Sequence, residues 1–208
     1  MRISRKAVRW MLAIVILLMA LPLLALADVP RGALPYQRDL TRNAHTVWGL
    51  EAPVATFAAQ IHQESRWNDQ AKSPVGASGI AQFMPATATW ISGAYQLGAA
   101  QPTNPGWALR ALVTYDKHLW DRVQQAATDC DRMAMALSSY NGGLGWVYRD
   151  QKLAAANGAD PKVWFGQVER FNAGRAAAAF AENRGYPRII LTRWQPIYAG
   201  WGGGIVCS

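Results

Sequence analysis

The 208 residues suit one compact domain with flanking segments, and a hydrophobic share of 51% is ample for a buried core. Four of the eight net positive charges lie in residues 1–27, leaving about +4 on the remainder. No dense Lys/Arg cluster or recognition motif follows, which excludes a nucleic-acid reading, whereas a modest basic excess suits attraction to an anionic wall or membrane surface.

Arg2, Arg5, Lys6 and Arg9 precede an apolar run from Trp10 to Ala27 that ends Ala25-Leu26-Ala27. Basic residues, an apolar stretch and a small-x-small site predict a secretory signal, residues 1–27, cleaved after Ala27, and an exported, periplasmic protein. An uncleaved anchor is the alternative, since 18 residues are marginally long enough to span. Pro22 and the Ala-Leu-Ala site favour cleavage, and the absence of a nearby Cys speaks against a lipid anchor. Residues 28–52 carry Pro30, Gly32 and Pro35 with little periodicity and read as an extended lead-in.

Val54, Phe57, Ala58 and Ile61 then recur at the spacing of one helix face, and Glu64 continues it. A carboxyl on that face is partly desolvated, so its pKa rises and it can wait protonated as a general acid. Asn68, Ser73, Pro74, Gly76 and Gly79 break the helix into a polar loop, with room for a small β element, and Pro85 opens a new helix through Trp90. After a loop from Gly93, Asn104-Pro105 reads as an N-cap with proline at the first helical position. The helix it opens runs to about Gln125 and buries Ala108, Leu112, Tyr115, Leu119 and Val123. Asp116 and His118 fall off that stripe and are expected in solvent.

A helix over Asp129–Tyr140 buries Met133, Leu137 and Tyr140 and stops at glycine. Leu144–Ala156, Pro161–Phe171 and Arg175–Asn183 are further expected helices. The aromatic, Gly-rich residues 194–208 read as a tail, either flexible or lying as a flap over the site. In an oxidising compartment Cys130 and Cys207 could pair and staple this tail to the domain; two separate thiols are the alternative.

Three stretches go further. Glu64-Ser65, Ser73 and the run Gly76 to Ala88, with Gly79-Ile80-Ala81-Gln82 where G-L-M-Q is usual, resemble the signature of the soluble lytic transglycosylases. Ser139-Tyr140-Asn141-Gly142-Gly143 resembles that family's A-Y-N-x-G. Glu182 through Leu191 is similar to its third landmark, with Pro187 in place of the common Val. The resemblance implies a mainly α, lysozyme-like single domain over residues 53–193 and peptidoglycan glycan strands as substrate. It implies Glu64 as the catalytic acid and then base, and a muramic acid N-acetyl group and C6 hydroxyl that close a 1,6-anhydro ring without water. It gives supporting places to Ser73, Gln82, Met84, Tyr140, Asn141 and Tyr186, with the Tyr140 hydroxyl orienting the Glu64 carboxyl.

Neither H-E-x-x-H nor a cysteine cluster is present, so no metal or other cofactor is expected, and there is no G-x-S-x-G elbow. A monomer is expected. A lysozyme-type hydrolase is the alternative enzyme; it needs a second acid, for which Asp69 is the nearest candidate. A noncatalytic wall-binding module is the alternative outside enzymes, and retention of Glu64 and Tyr140 argues against it. A partnership with a secretion or conjugation assembly is compatible with the sequence, as is general wall turnover.

Overall fold

The computed structural model describes residues 28–207, so the expected signal segment lies outside the described residues. Seven α-helices follow one another: α1 (Gln37–Trp48), α2 (Val54–Ser65), α3 (Pro85–Ala94), α4 (Pro105–Arg122), α5 (Asp129–Gly142), α6 (Leu144–Ala156) and α7 (Ala177–Arg188). A 3-10 turn, Arg31–Tyr36, precedes α1. Beyond α7 the chain passes into a π-helical turn, Ile189–Trp194, and a 3-10 segment, Gln195–Trp201. The architecture is mainly α, as the resemblance implied. The β structure among the described residues is confined to isolated bridges, Lys72 with Ser78 and Ser78 with Phe83, in the loop where a small β element had room.

Helix α2 is the axis of the core. All eight residues from Val54 to Ile61 are buried, because α1, the π-turn and the 3-10 segment cover it on different sides. Arg66 and Trp67 end it in left-handed conformations, φ 52° and 70°. That geometry is costly for residues with a Cβ. Trp67 offsets the cost by burial: its ring stacks on Tyr36 and its Nε1 donates to the Tyr198 hydroxyl at 2.6 Å. Side-chain caps start the next long helices. The Asn104 oxygen accepts from the Trp107 amide on α4, and the Thr128 hydroxyl accepts from the Asp131 amide on α5.

Several sequence expectations are corrected. Residues 28–52 are not extended throughout: Leu40 and Ala44, one turn apart, bury a helix against α4, Pro35 falls in the 3-10 turn ahead of it, and Pro30 immediately precedes that turn. Residues 161–171 are not a helix. Gly166 turns with φ 72°, the Asp131 carboxylate takes the Trp164 amide and Glu169 takes the Gly166 amide, leaving only the 3-10 turn Val168–Arg170. The following helix begins at Ala177 and continues through Pro187 to Arg188. Proline there has no N–H for the carbonyl four residues back, and the hydrogen-bond register shifts to the wider π-turn immediately after it.

The C-terminal residues are neither a loose tail nor a flap over the cleft. The Ala55 amide donates to the Gly203 carbonyl, the Thr56 hydroxyl to Gln195, and the Ile205 amide to the Thr56 hydroxyl, so the segment straps the outer side of α2. Cys130 and Cys207 form a disulfide that ties the end of the strap to α5. Asp116 and His118 are not solvated; both are buried, 1% and 9% exposed. The apolar stripe of α4 marks one face, but α1, α3 and α5 all pack on this helix and enclose its other faces.

Candidate active site

The top turn of α2 opens on a cleft of about 520 Å³ between the loop 73–84 and helix α7. Glu64 stands half-buried in its wall, as the apolar phase of α2 requires. The Tyr186 hydroxyl, from α7, donates to Glu64 Oε1. Burial pushes the carboxyl up; the Tyr186 hydrogen bond opposes this and the Glu182 carboxylate adds to it, for a pKa of about 8. The group therefore carries its proton at neutral pH.

The supporting residues that the resemblance named all border this cleft: Ser73, Gln82 and Met84 from the loop side, Tyr140 and Asn141 from α5, and Tyr186. Their bonds assign them different work. The Ser73 hydroxyl accepts from the Ala77 amide and closes the tip of the loop. Gln82, at φ 48°, spends its amide nitrogen on the carbonyls of Ala71 and Gly79, so it shapes the loop. Ser65 pins the loop to the end of α2 through the Ile80 carbonyl at 2.7 Å. Gly79 is required there: its φ is 79°, and a Cβ would lie 1.7 Å from the Pro102 carbonyl oxygen.

Tyr140 departs from expectation. Its hydroxyl donates to the Ala81 carbonyl at 2.8 Å, holding the loop to α5, and it is Tyr186 that bonds Glu64. Asn141 donates to Glu182 at 3.1 Å and accepts from Asn183 at 3.0 Å, which joins α5 to α7 beneath the cleft. The helices meet closely because residue 142 is glycine; a Cβ would sit 2.7 Å from Asn183 Nδ2. The buried Asp150 carboxylate fixes the approach to α7 by taking Arg175 and Arg184, each at 2.6 Å.

Asp69, the nearest sequence candidate for a second acid, is not in the cleft; it accepts from the Tyr36 hydroxyl at 3.2 Å, on the outer side of the loop. Two other carboxyls matter instead. Glu182 borders the cleft and was legible only as part of the third landmark. Asp116 lies closed off one turn below Glu64, where Gln60 Nε2 donates to its Oδ1 at 3.3 Å. Burial above all, with the Glu64 charge adding and the Gln60 bond opposing, holds Asp116 well above the carboxylate range. A cleft bearing one protonated carboxyl with a phenol donor, a second carboxylate nearby and polar amides is suited to protonating a leaving-group oxygen.

Residues 43–163 match the family model for the transglycosylase SLT domain. The membrane-bound lytic murein transglycosylase F of Vibrio cholerae is 31% identical over 132 residues, 63% of this chain and 24% of that protein. The protein of the same name from Shewanella halifaxensis is 35% identical over 108 residues, 52% of this chain and 22% of its own. The chain thus spans about a quarter of the length of the curated relatives it matches. Among solved structures, the 70 kDa soluble lytic transglycosylase from Escherichia coli shares the fold, with TM-score 0.56 at 24% identity over 80% of this chain and 25% of that one. The complex of the 70-kDa soluble lytic transglycosylase with bulgecin A superposes with TM-score 0.59 at 25% identity, over 86% of this chain and 26% of its own.

Proposed function

The chain belongs to the transglycosylase SLT domain family, and on that premise we propose that it is a peptidoglycan lytic transglycosylase. The carrying observation is Glu64, a cleft-facing carboxyl held protonated to about pH 8 and bonded by the Tyr186 hydroxyl. Glu64 protonates the oxygen linking N-acetylmuramic acid to N-acetylglucosamine as the C1–O bond breaks, and the muramic acid N-acetyl carbonyl stabilises the cation. The Glu64 carboxylate then removes the C6 hydroxyl proton, O6 closes on C1, and the acid is restored with no water consumed. One group serving twice needs a pKa near the working pH, which burial against one phenol donor supplies. Asn141 and Met84 border the sugar path, while Ser73, Gln82 and Tyr140 shape the loop that covers it. Export to the cell wall belongs to the same reading, and the Cys130–Cys207 disulfide, at home in an oxidising compartment, supports it.

A hydrolase is the second reading, and Glu182 is the observation that favours it, as the other cleft carboxyl that could activate water. Mass spectrometry of muropeptides released from purified peptidoglycan separates the two. Anhydro-ended products that vanish with Glu64→Gln are the expected result; reducing-end products, lost in Glu182→Gln as well, would instead establish the hydrolase.

A further inference from the structure

Trp90 stands on α3 just outside the cleft, and the proposed reaction makes no use of it. Of the nine tryptophans among the described residues it is the one with an exposed side chain, 44% accessible. It continues a row that starts at the N-cap of α3: Met84, the cap, and Thr87 border the cleft, and Trp90 follows three residues later. Residues three apart are neighbours on a helix surface, so the row leads out of the cleft over about 9 Å of helix. Apolar surface continues with it, since Met84 is 42% exposed. Beside Trp90, the exposed residues Ala86, Thr89 and Gly93 are small, so the surface around the ring is low.

The ring is also clamped. Tyr115, itself a cleft residue, meets Trp90 edge-on with centroids 5.9 Å apart, and His118 and Tyr95 do so at 4.8 Å and 6.4 Å. His118 is fixed in turn. Arg122 can only donate to its Nδ1, at 3.0 Å, so that nitrogen accepts and the Tyr95 hydroxyl donates to it at 2.6 Å. Burial and the Arg122 charge lower the His118 pKa, which preserves the accepting nitrogen. An indole that is rigid, solvent-facing and continuous with a sugar cleft is placed to stack on a sugar face at little entropic cost.

We propose that Trp90 is an outer saccharide platform, stacking on an N-acetylated sugar of a β-1,4 glycan strand beyond those seated in the cleft. The inference rests on the glycan reading above. It makes binding length-dependent: strands long enough to reach α3 gain a contact that short oligomers cannot make.

Calorimetric titration of the Glu64→Gln protein with β-1,4 N-acetylglucosamine oligomers, from disaccharide to hexasaccharide, tests it. Affinity should rise with length, and adding Trp90→Ala should cost about tenfold on the longest oligomers, one aromatic contact's worth, while leaving the shortest within about twofold. Trp90→Phe should recover most of the loss. In the active enzyme on peptide-free glycan strands, Trp90→Ala should raise KM and leave kcat in place. A Trp90→Ala protein that matches its parent at every length, or loses equally at every length, overturns the platform. If Glu64→Gln with Trp90 intact binds no oligomer at all, the glycan reading itself fails and takes the platform with it.

Discussion

Helix α2 carries two polar side chains one turn apart, Glu64 and Gln60, and the regions they face are instructive side by side. Glu64 opens on a cleft and has a phenol donor. Gln60 faces Asp116 in a closed layer between α2 and α4 that the cleft does not reach. Both carboxyls are held up mainly by burial. Their hydrogen bonding differs. Glu64 accepts from Tyr186, whereas Asp116 Oδ2 and Gln60 Oε1 are both buried acceptors without a donor. One proton on Asp116 Oδ2 would serve both, closing an acid–amide ring with the Gln60 Nε2 bond already present. A raised carboxyl pKa thus marks burial in both regions; access to the cleft is what sets Glu64 apart and makes it the one proposed to give its proton away and recover it.

The largest expected effect falls on the open side. Glu64→Gln should lower the rate of peptidoglycan turbidity loss by about 10²–10⁴-fold, the range for a positioned general acid–base. In the wild type the rate should decline as pH rises through about 8, where the acid loses its proton. A rate that holds level well above that pH would remove Glu64 from the role.

Tyr186→Phe comes next. The hydroxyl favours the ionised form of Glu64, so its loss should move the alkaline limb of kcat/KM to higher pH and cost about tenfold, the scale of a hydrogen bond to a charged group. A lower rate with an unmoved limb would reassign Tyr186 to holding substrate.

The same burial has a cost in stability, with a definite sign. Glu64 titrates at about 8 folded and near 4.5 unfolded, so between these values the unfolded chain holds fewer protons and stability falls as pH rises. Glu64→Gln should therefore be more stable than the wild type at pH 7, by about 2–3 kcal/mol after allowing for partial exposure, and equal to it near pH 4. Thermal melts across that window measure it, and a parallel pair of curves would mean that the carboxyl is ionised in the folded state.

How much of this was readable beforehand follows from the range of the contacts. Glu64 is visible because Val54, Phe57, Ala58 and Ile61 fix the phase of one helix, and the loop after it because Gly79 and its neighbours sit close in sequence. Tyr140 and Tyr186 were named by resemblance, but which of them bonds Glu64 depends on how α5 and α7 dock, and periodicity does not encode docking. Asp116 was misread for a related reason: a stripe identifies the first buried face of α4 and is silent on the neighbours that cover the others. The strap is the extreme case. It has no period because it is held by single bonds such as Thr56 to Gln195, 139 residues apart, and by a disulfide spanning 77.

The smallest expected effect tests the closed side. If Asp116 holds its proton in a ring with Gln60, Asp116→Asn is nearly isosteric: its amide can donate to Gln60 Oε1 and accept from Gln60 Nε2. Rate and alkaline limb should then stay within about twofold and 0.3 pH of the wild type, since a neutral group replaces a neutral one. Stability should rise at neutral pH, because the unfolded chain loses an acid that ionises near 3.8 while the folded acid titrates well above that. Asp116→Leu should behave differently, leaving the Gln60 amide buried with no partner at about 1–3 kcal/mol. Were Asp116 instead an anion, its charge would be part of what lifts Glu64, and Asp116→Asn would draw the alkaline limb down. The limb therefore reports the charge of a residue that no substrate touches, and an unmoved limb in a more stable protein places the proton on Asp116.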